Sequence, residues 1–344
     1  MDARGPRKSD FAADLTAMID LLPVLVKGTP TLRGQLKQWF SSYPSGNVWR
    51  VASDYAIGDP NKLNDVISFV MIAPHATDAD VQQYVGGVAP KDLKKVSAVP
   101  LGLMQYLNCP VPITFSMSFV LPRDAAMLRD RLPLDGMVLL AQAAITFLEQ
   151  RLSLYTEPTD IEYHRAAIKR FQLFERDLAR KSVSEKLARQ IHVVAATAAT
   201  VFNSLNDAVR PQAIRWISDR DKLVAAHDTV VYDLAYVYRM VQVMQTATPE
   251  QQAAGNLGAS MAPIGCEIPE PTGDHRFDDF VRLPDYLAGT LADINLETMT
   301  FTRDKFGEVL NSVLANSPNN WMVQLLRRSD GGVTVRSAQF KGWN

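Results

Sequence analysis

Three aspartates carry the chemistry most open to this chain. Asp54 lies in or at the end of a first strand, Asp219 ends a fourth, and Asp285 is expected in the first turn of the helix after a fifth. In a sheet whose first and fourth strands are neighbours, with the last helix starting close by, the three converge. Gathered carboxylates repel one another and hold their protons to higher pH unless a cation neutralises them, which makes them ligands for Mg2+ or Mn2+. Two such ions about 4 Å apart activate a water and stabilise the leaving oxygen of a phosphodiester. Asp54, Asp219 and Asp285 are therefore the expected metal ligands and catalytic residues, Mg2+ or Mn2+ the expected cofactor, and nucleic-acid backbone hydrolysis the expected reaction.

Each aspartate also has an ordinary use. Asp54 and Asp59 in SDYAIGDP suit a turn, and Asp221 stands beside Asp219 in SDRD. A carboxylate after Pro284 suits a helix N-terminus through the helix dipole alone. Joint placement at three positions of one sheet order is what favours chemistry.

Around them, Arg215, Arg220, Lys222, Arg276 and Arg282 are either phosphate partners or charge balance for exposed aspartates. His227 and His275 are the histidines nearest in sequence to the acids, and the remaining three, His75, His164 and His192, show no metal-binding spacing. GNLGAS (255–260) lacks the strand and the lysine of a phosphate loop, and nucleophile-elbow and Cys-His patterns are absent.

Composition bounds the rest. The 344 residues are 47% hydrophobic, enough for a large core, and Lys plus Arg number 36 against 37 Asp plus Glu, so nucleic-acid binding must be local. Cys109 and Cys266 sit in apolar runs, as buried reduced thiols do. The most apolar run, Met137–Leu148, is about 12 residues, short of the ~20 that cross a bilayer, and the first residues lack a signal peptide's apolar core. A cytoplasmic protein with no membrane partner is expected.

The elements that must position the acids follow from periodicity. A short helical pattern from Ser9 (Phe11, Leu15, Met18, Ile19, Leu22) stops at Pro23. Strands are expected at VWRVASDY, DVISFVMIAP, PVPITFSMSFVL, QAIRWISD and APIGCEI, with a helical link over Asp78–Leu107 that contains KDLKK. From Asp135 to Asp207 the period is helical. One piece places Ile161, Ile168, Phe171, Phe174 and Leu178 on a stripe; the next places Leu187, Ile191, Val194, Ala198, Val201 and Leu205 at steps of four and three. These two pieces suggest a helical hairpin, with Arg165, Lys169, Arg170, Arg176, Arg180 and Lys181 on a solvated face. A long helix is expected from about Ala226 to Gln245, another through LPDYLAGTLADI, and a last over Arg303–Leu314 before the hairpin WMVQLLRR-SDGG-VTVRSAQF.

That order is the ribonuclease H-like order. The expected fold is α/β: a ribonuclease H-like mixed central sheet flanked by helices, with a helical-hairpin insertion and a C-terminal β-hairpin. The expected parts are an extension over 1–45, the main domain over 46–300 with the insertion at about 156–208, and the closing helix and hairpin over 301–344.

SDYAIGDPNKLNDVISFVMIAP, IRWISDRD and FVRLPDYLAGTLADI resemble the opening, central-strand and closing motifs of a bacterial and phage ribonuclease H-like family of largely unknown function. The family opens with Asp-Glu-Ser and closes with Leu-Gln-x-Ala-Asp. Here Tyr55 stands where the family has Glu, and Arg282, Leu283, Pro284 and Asp285 replace Gln-x-Ala-Asp. The resemblance covers roughly 46–120 and 210–295 and implies a metal-dependent nuclease with a role in phage defence. The absent Glu favours an alternative, an inactive binding or scaffold subunit that meets protein partners through its helical insertion. A small-molecule phosphoesterase is a third possibility, and oligomeric state stays open.

Overall fold

The computed structural model describes residues 21–123, 125–180, 184–248, 261–270, 272–273 and 276–341. Apolar and β-branched runs form the strands: β1 (Val48–Ala56), β2 (Asn64–Ile72), β3 (Thr114–Pro122), β4 (Ala213–Ser218), β5 (Ile264–Glu267), β6 (Asn320–Arg327) and β7 (Val333–Ala338). They make one seven-stranded mixed sheet in the order β5-β4-β1-β2-β3-β6-β7. β1 runs parallel to β4 and antiparallel to β2, β2 is antiparallel to β3, and β4 is parallel to β5. The closing hairpin is not separate from this sheet: β6 pairs in parallel with β3 and covers an edge that would otherwise expose unpaired backbone groups.

The chain divides into two compact units. One contains Lys27–Asp124, Val201–Arg220 and Met261–Asn344; the other contains Met1–Val26, Ala125–Thr200 and Asp221–Ser260. These boundaries differ from the expected 46–300 domain with its 156–208 insertion, because residues 125–155 and 221–260 belong to the helical unit and 301–344 to the sheet.

In the sheet unit, β1 alternates. Trp49, Val51, Ser53 and Tyr55 face one side, Arg50, Ala52 and Asp54 the other. The Ala52 side is a core in which Val66, Val70, Val120 and Ile217 meet Phe280, Leu283, Leu287 and Leu291 of the helix Asp278–Asp293. Those helix positions recur every three or four residues, and each fully buried side chain contributes roughly 1.5–3 kcal/mol. The opposite side is covered by Pro30–Trp39 and by Val201–Val209, where Phe40 packs on Trp49 at 4.7 Å and Phe202 on Trp216 at 5.1 Å between ring centroids.

Three local expectations need correction. Pro284 does not start its helix: it lies inside Asp278–Asp293, so Asp285 is not in the first turn, and Asp278 and Asp279 take that place. Pro23 likewise lies within the helix Leu21–Gly28. The link 78–107 is three pieces, Asp78–Val88, the 3-10 turn Leu93–Lys95, and Leu101–Leu107, with prolines at 90 and 100 separating them.

In the helical unit, Pro158–Ala179 packs along the preceding Leu134–Leu152, joined side to side by Gln142 Nε2 and Glu175 Oε1 at 2.9 Å, and its Phe174 also meets His192 of the later helix it was expected to pair with, at 6.0 Å between ring centroids. That later helix, Glu185–Val209, is buried at every position from Ile191 to Leu205, since its Ala and Thr residues admit close neighbours on all sides. Arg170 on the expected solvated face instead binds Asp233, with Nε 2.6 Å from Oδ2. The helix Lys222–Thr246 is broken where regular helix was expected to begin: His227, Asp228 and Thr229 hold φ of 50°, 54° and 64°. Among the described residues no helix is long and apolar enough to cross a membrane. Cys109 and Cys266 are half-buried free thiols rather than core residues. The N-terminal pattern from Ser9 to Ile19 lies outside the described residues.

On the sheet face away from Asp54, the Tyr55 hydroxyl lies 2.8 Å from both Ser53 Oγ and Ser218 Oγ, and Trp216 Nε1 donates to Ser53 Oγ at 2.9 Å. Tyr55→Phe strips a shared partner from two buried hydroxyls. It is expected to lower the free energy of unfolding in urea by about 1–2 kcal/mol at unchanged m-value; an unmoved midpoint would contradict this account of the cluster.

Candidate active site

The register of two parallel strands brings the first two acids together. Ser53 of β1 pairs with Ser218 of β4, and Asp219 N donates to Ser53 O at 3.0 Å, carrying the ladder one residue past the end of β4. Asp219 thus lies alongside Asp54. Asp54 follows Ala52 by two residues and Asp219 follows Ile217 by two, so both point to the face covered by Asp278–Asp293. Asp285 projects from that helix. The charges of Asp219 and Asp285 both act on Asp54, and that of Asp219 acts on Asp285.

Asp54 is only 7% exposed. Burial pushes its carboxyl well above the usual range, the charges of Asp285 and Asp219 push the same way, and a hydrogen bond with Asp219 adds to it; the Tyr55 backbone N–H offsets part. Asp285 Oδ2 accepts from Leu93 N at 2.7 Å. Burial raises its carboxyl to about 6; the Leu93 N–H opposes this, Asp92 and Asp219 raise it further, and Lys94 lowers it.

A polar row runs from these acids across the sheet. Asp54 pairs with Ser68 of β2, Ser68 with Ser118 of β3, and their hydroxyls are 2.8 Å apart, both fully buried. Beyond Asp285, Lys305 is 3% exposed and donates to Leu93 O at 2.6 Å and Val96 O at 2.9 Å. Lys62 pairs with Asp293 at 3.0 Å.

The arginines proposed as phosphate partners are mostly committed elsewhere. Arg215 bridges Asp78 and Glu267, the latter at 3.2 Å; Arg220 pairs with Asp278 at 3.1 Å; Arg282 pairs with Asp279; and Arg276 lies 4.9 Å over the Phe277 ring. Charge balance accounts for the first three. Lys222 and His227 belong to the helical unit, where His227 lies against Phe174 and 3.5 Å from Asp177. His275 lies outside the described residues. His75 is held by Ala73 O at 2.9 Å and by the Tyr106 hydroxyl at 3.3 Å.

Tyr55 points to the opposite face from Asp54. A glutamate at that position would therefore not reach the acidic spot, and its absence removes no ligand there.

Hard carboxylate oxygens are the donors Mg2+ and Mn2+ prefer, and Mg2+ is commonly held by one or two carboxylates while keeping several waters. The Asp54–Asp219 pair meets that description. Among the described residues, no set of three His, Cys, Asp or Glu closes on a common point as a preformed metal cage would.

Sequence reasoning missed Asp92, Lys94, Lys305, Ser68 and Ser118. The serines left a signal: they stand at inward positions of otherwise apolar strands, SFV and SMSFV. Scans against protein-family models and searches of curated proteins and of solved structures returned no match.

The raised carboxyls set a pH dependence. Between about pH 4 and 6 the folded protein keeps a proton on Asp285 that an unfolded carboxyl near 3.8 has released, so stability falls as pH rises through that window, and the raised Asp54 carboxyl acts in the same direction. In EDTA, Asp54→Asn is expected to match wild type near pH 4 and to become progressively more stable than wild type as pH rises, measured by urea unfolding. A difference that does not change with pH would refute the raised carboxyl.

Proposed function

We propose that this protein is a metal-dependent nuclease of the ribonuclease H-like class. Asp54, Asp219 and Asp285 form its reactive centre, and the substrate is a nucleic-acid phosphodiester. The observation that carries the proposal is that the buried Asp54 of β1 lies alongside the half-buried Asp219 at the end of β4, with Asp285 of the helix after β5 close enough to act on Asp54. The strand order β5-β4-β1-β2-β3, with β2 alone reversed among those five, is similar to that of ribonuclease H-like domains and supports the class. A role in phage defence follows from the sequence resemblance alone.

Asp54 and Asp219 would hold a Mg2+ or Mn2+ ion, with Asp285 adding negative charge. The ion would supply an activated water and neutralise charge on the phosphate. The chain's own groups fix the acids. Leu93 N–H orients Asp285, the β1–β4 ladder orients Asp219, and the covering helix keeps bulk water from Asp54.

One observation favours a second reading, a non-catalytic scaffold. Arg215, Arg220 and Arg282, expected as phosphate partners, are instead paired with Asp78, Asp278 and Asp279. The two readings part on experiment. Purified protein is expected to show a Mn2+-dependent thermal shift and Mn2+-dependent cleavage of DNA or RNA. Asp54→Asn and Asp285→Asn, folded by circular dichroism, are expected to lose on the order of 100-fold or more in kcat/KM, about 2.7 kcal/mol of barrier. Neither shift nor cleavage in wild type would leave the scaffold.

A further inference from the structure

We propose that the KDLKK turn (91–95) is the phosphate-binding element of this protein, with Lys91 and Lys94 contacting the backbone of a nucleic-acid strand beside the acidic spot; this rests on the nuclease reading. An acidic centre repels a polyanion, so the strand must be held by cations that the protein's own carboxylates have not consumed. Arg215, Arg220 and Arg282 are consumed by Asp78, Asp278 and Asp279. Lys95 is paired with Asp92 at 2.6 Å. Lys91 and Lys94 are exposed, and among the described residues neither makes an ion pair. Lys94 follows Leu93, whose backbone N–H donates to Asp285.

The turn is also anchored far more firmly than a solvated surface loop requires. Leu93 N donates to Asp285 Oδ2 at 2.7 Å, and the buried Lys305 donates to Leu93 O and Val96 O at 2.6 and 2.9 Å. The Tyr286 hydroxyl donates to Lys91 O at 3.1 Å, and Val99 N donates to Glu308 Oε2 at 3.3 Å. The Leu93 side chain, 2% exposed, seats against Gly289, where an added Cβ would stand 2.8 Å from Leu93 Cδ2. The helix that carries Asp285 thus fixes the position of both free lysines. A pre-set pair of cations beside the reacting centre lowers the ordering cost of binding a strand.

The test uses the full chain, with Lys91→Ala/Lys94→Ala set against wild type. Binding of labelled single-stranded DNA and RNA is followed by fluorescence anisotropy in EDTA at several salt concentrations. The double variant is expected to bind about 10-fold more weakly, with the slope of log K against log salt reduced by about 1.4 for two lost contacts at ~0.7 each. Its Mn2+ thermal shift is expected to match wild type, and any cleavage to show raised KM with little change in kcat. Equal affinity and slope in wild type and variant would overturn the assignment while leaving the nuclease reading intact. Failure of wild type to bind any oligonucleotide at low salt would also overturn it. Competition by tripolyphosphate as effective as that by oligonucleotide at matched charge would assign the lysines to a free phosphate and overturn the nucleic-acid assignment. Loss of cleavage but not of binding in Asp54→Asn separates the acids' role from that of the turn. A wild type that binds strands through the lysines yet never cleaves them would sink the nuclease reading alone.

Discussion

Burial of one carboxyl group constrains the rest of the sheet unit. Asp54 sits near the end of a central strand, under a helix, in a face whose core is mostly apolar. An unpaired charge in such a place costs several kcal/mol, so the fold must provide either a proton or a cation. Asp219, which the parallel register of β1 and β4 sets beside it, sharpens that demand, since its charge also raises the Asp54 carboxyl. Ser68 and Ser118 continue the polar row across strands that have no other reason to bury hydroxyls on this face. The position of Asp285 follows from the same demand: its second oxygen is fixed by Leu93 N–H, so the carboxylate faces its neighbours without free rotation.

Much of this was legible in the sequence where local and global preferences agree. β1 to β4 and the closing hairpin are dense in β-branched and aromatic residues and bounded by Pro, Gly or Asp, and each lies close to where its composition predicts. The three aspartates were readable because strand ends and helix starts are the places where a sheet of this order brings distant segments together. The errors arose where a non-local contact overrides a local signal. Pro284 reads as a helix start, but the apolar spacing from Phe280 to Leu291 extends the helix past it, and packing on the sheet outweighs one missing backbone donor. The pairing of β6 with β3 depends on which edge is free, and no local pattern records that. The left-handed residues 227–229 contain no glycine to announce them.

The identity of residue 55 illustrates how strand alternation decides what a substitution means. Read along the chain, Tyr55 in place of Glu looks like a lost ligand. Read across the sheet, residue 55 belongs to the other face, where its hydroxyl joins Ser53 and Ser218 beneath Trp216. The departure from the family motif is thus a change in the packing behind the acids. It carries no weight for or against chemistry at Asp54.

Proton and divalent cation are two solutions to one electrostatic problem, and they compete for the same oxygens. Asp54 and Asp219 ionised together are adjacent anions, one of them almost wholly buried, a state that a cation relieves. A metal takes carboxylates in their deprotonated form, so its affinity at such a pair rises with pH through the range in which a raised carboxyl keeps its proton. The decision between catalyst and scaffold therefore depends on the relative affinity of these oxygens for H+ and for Mg2+ or Mn2+.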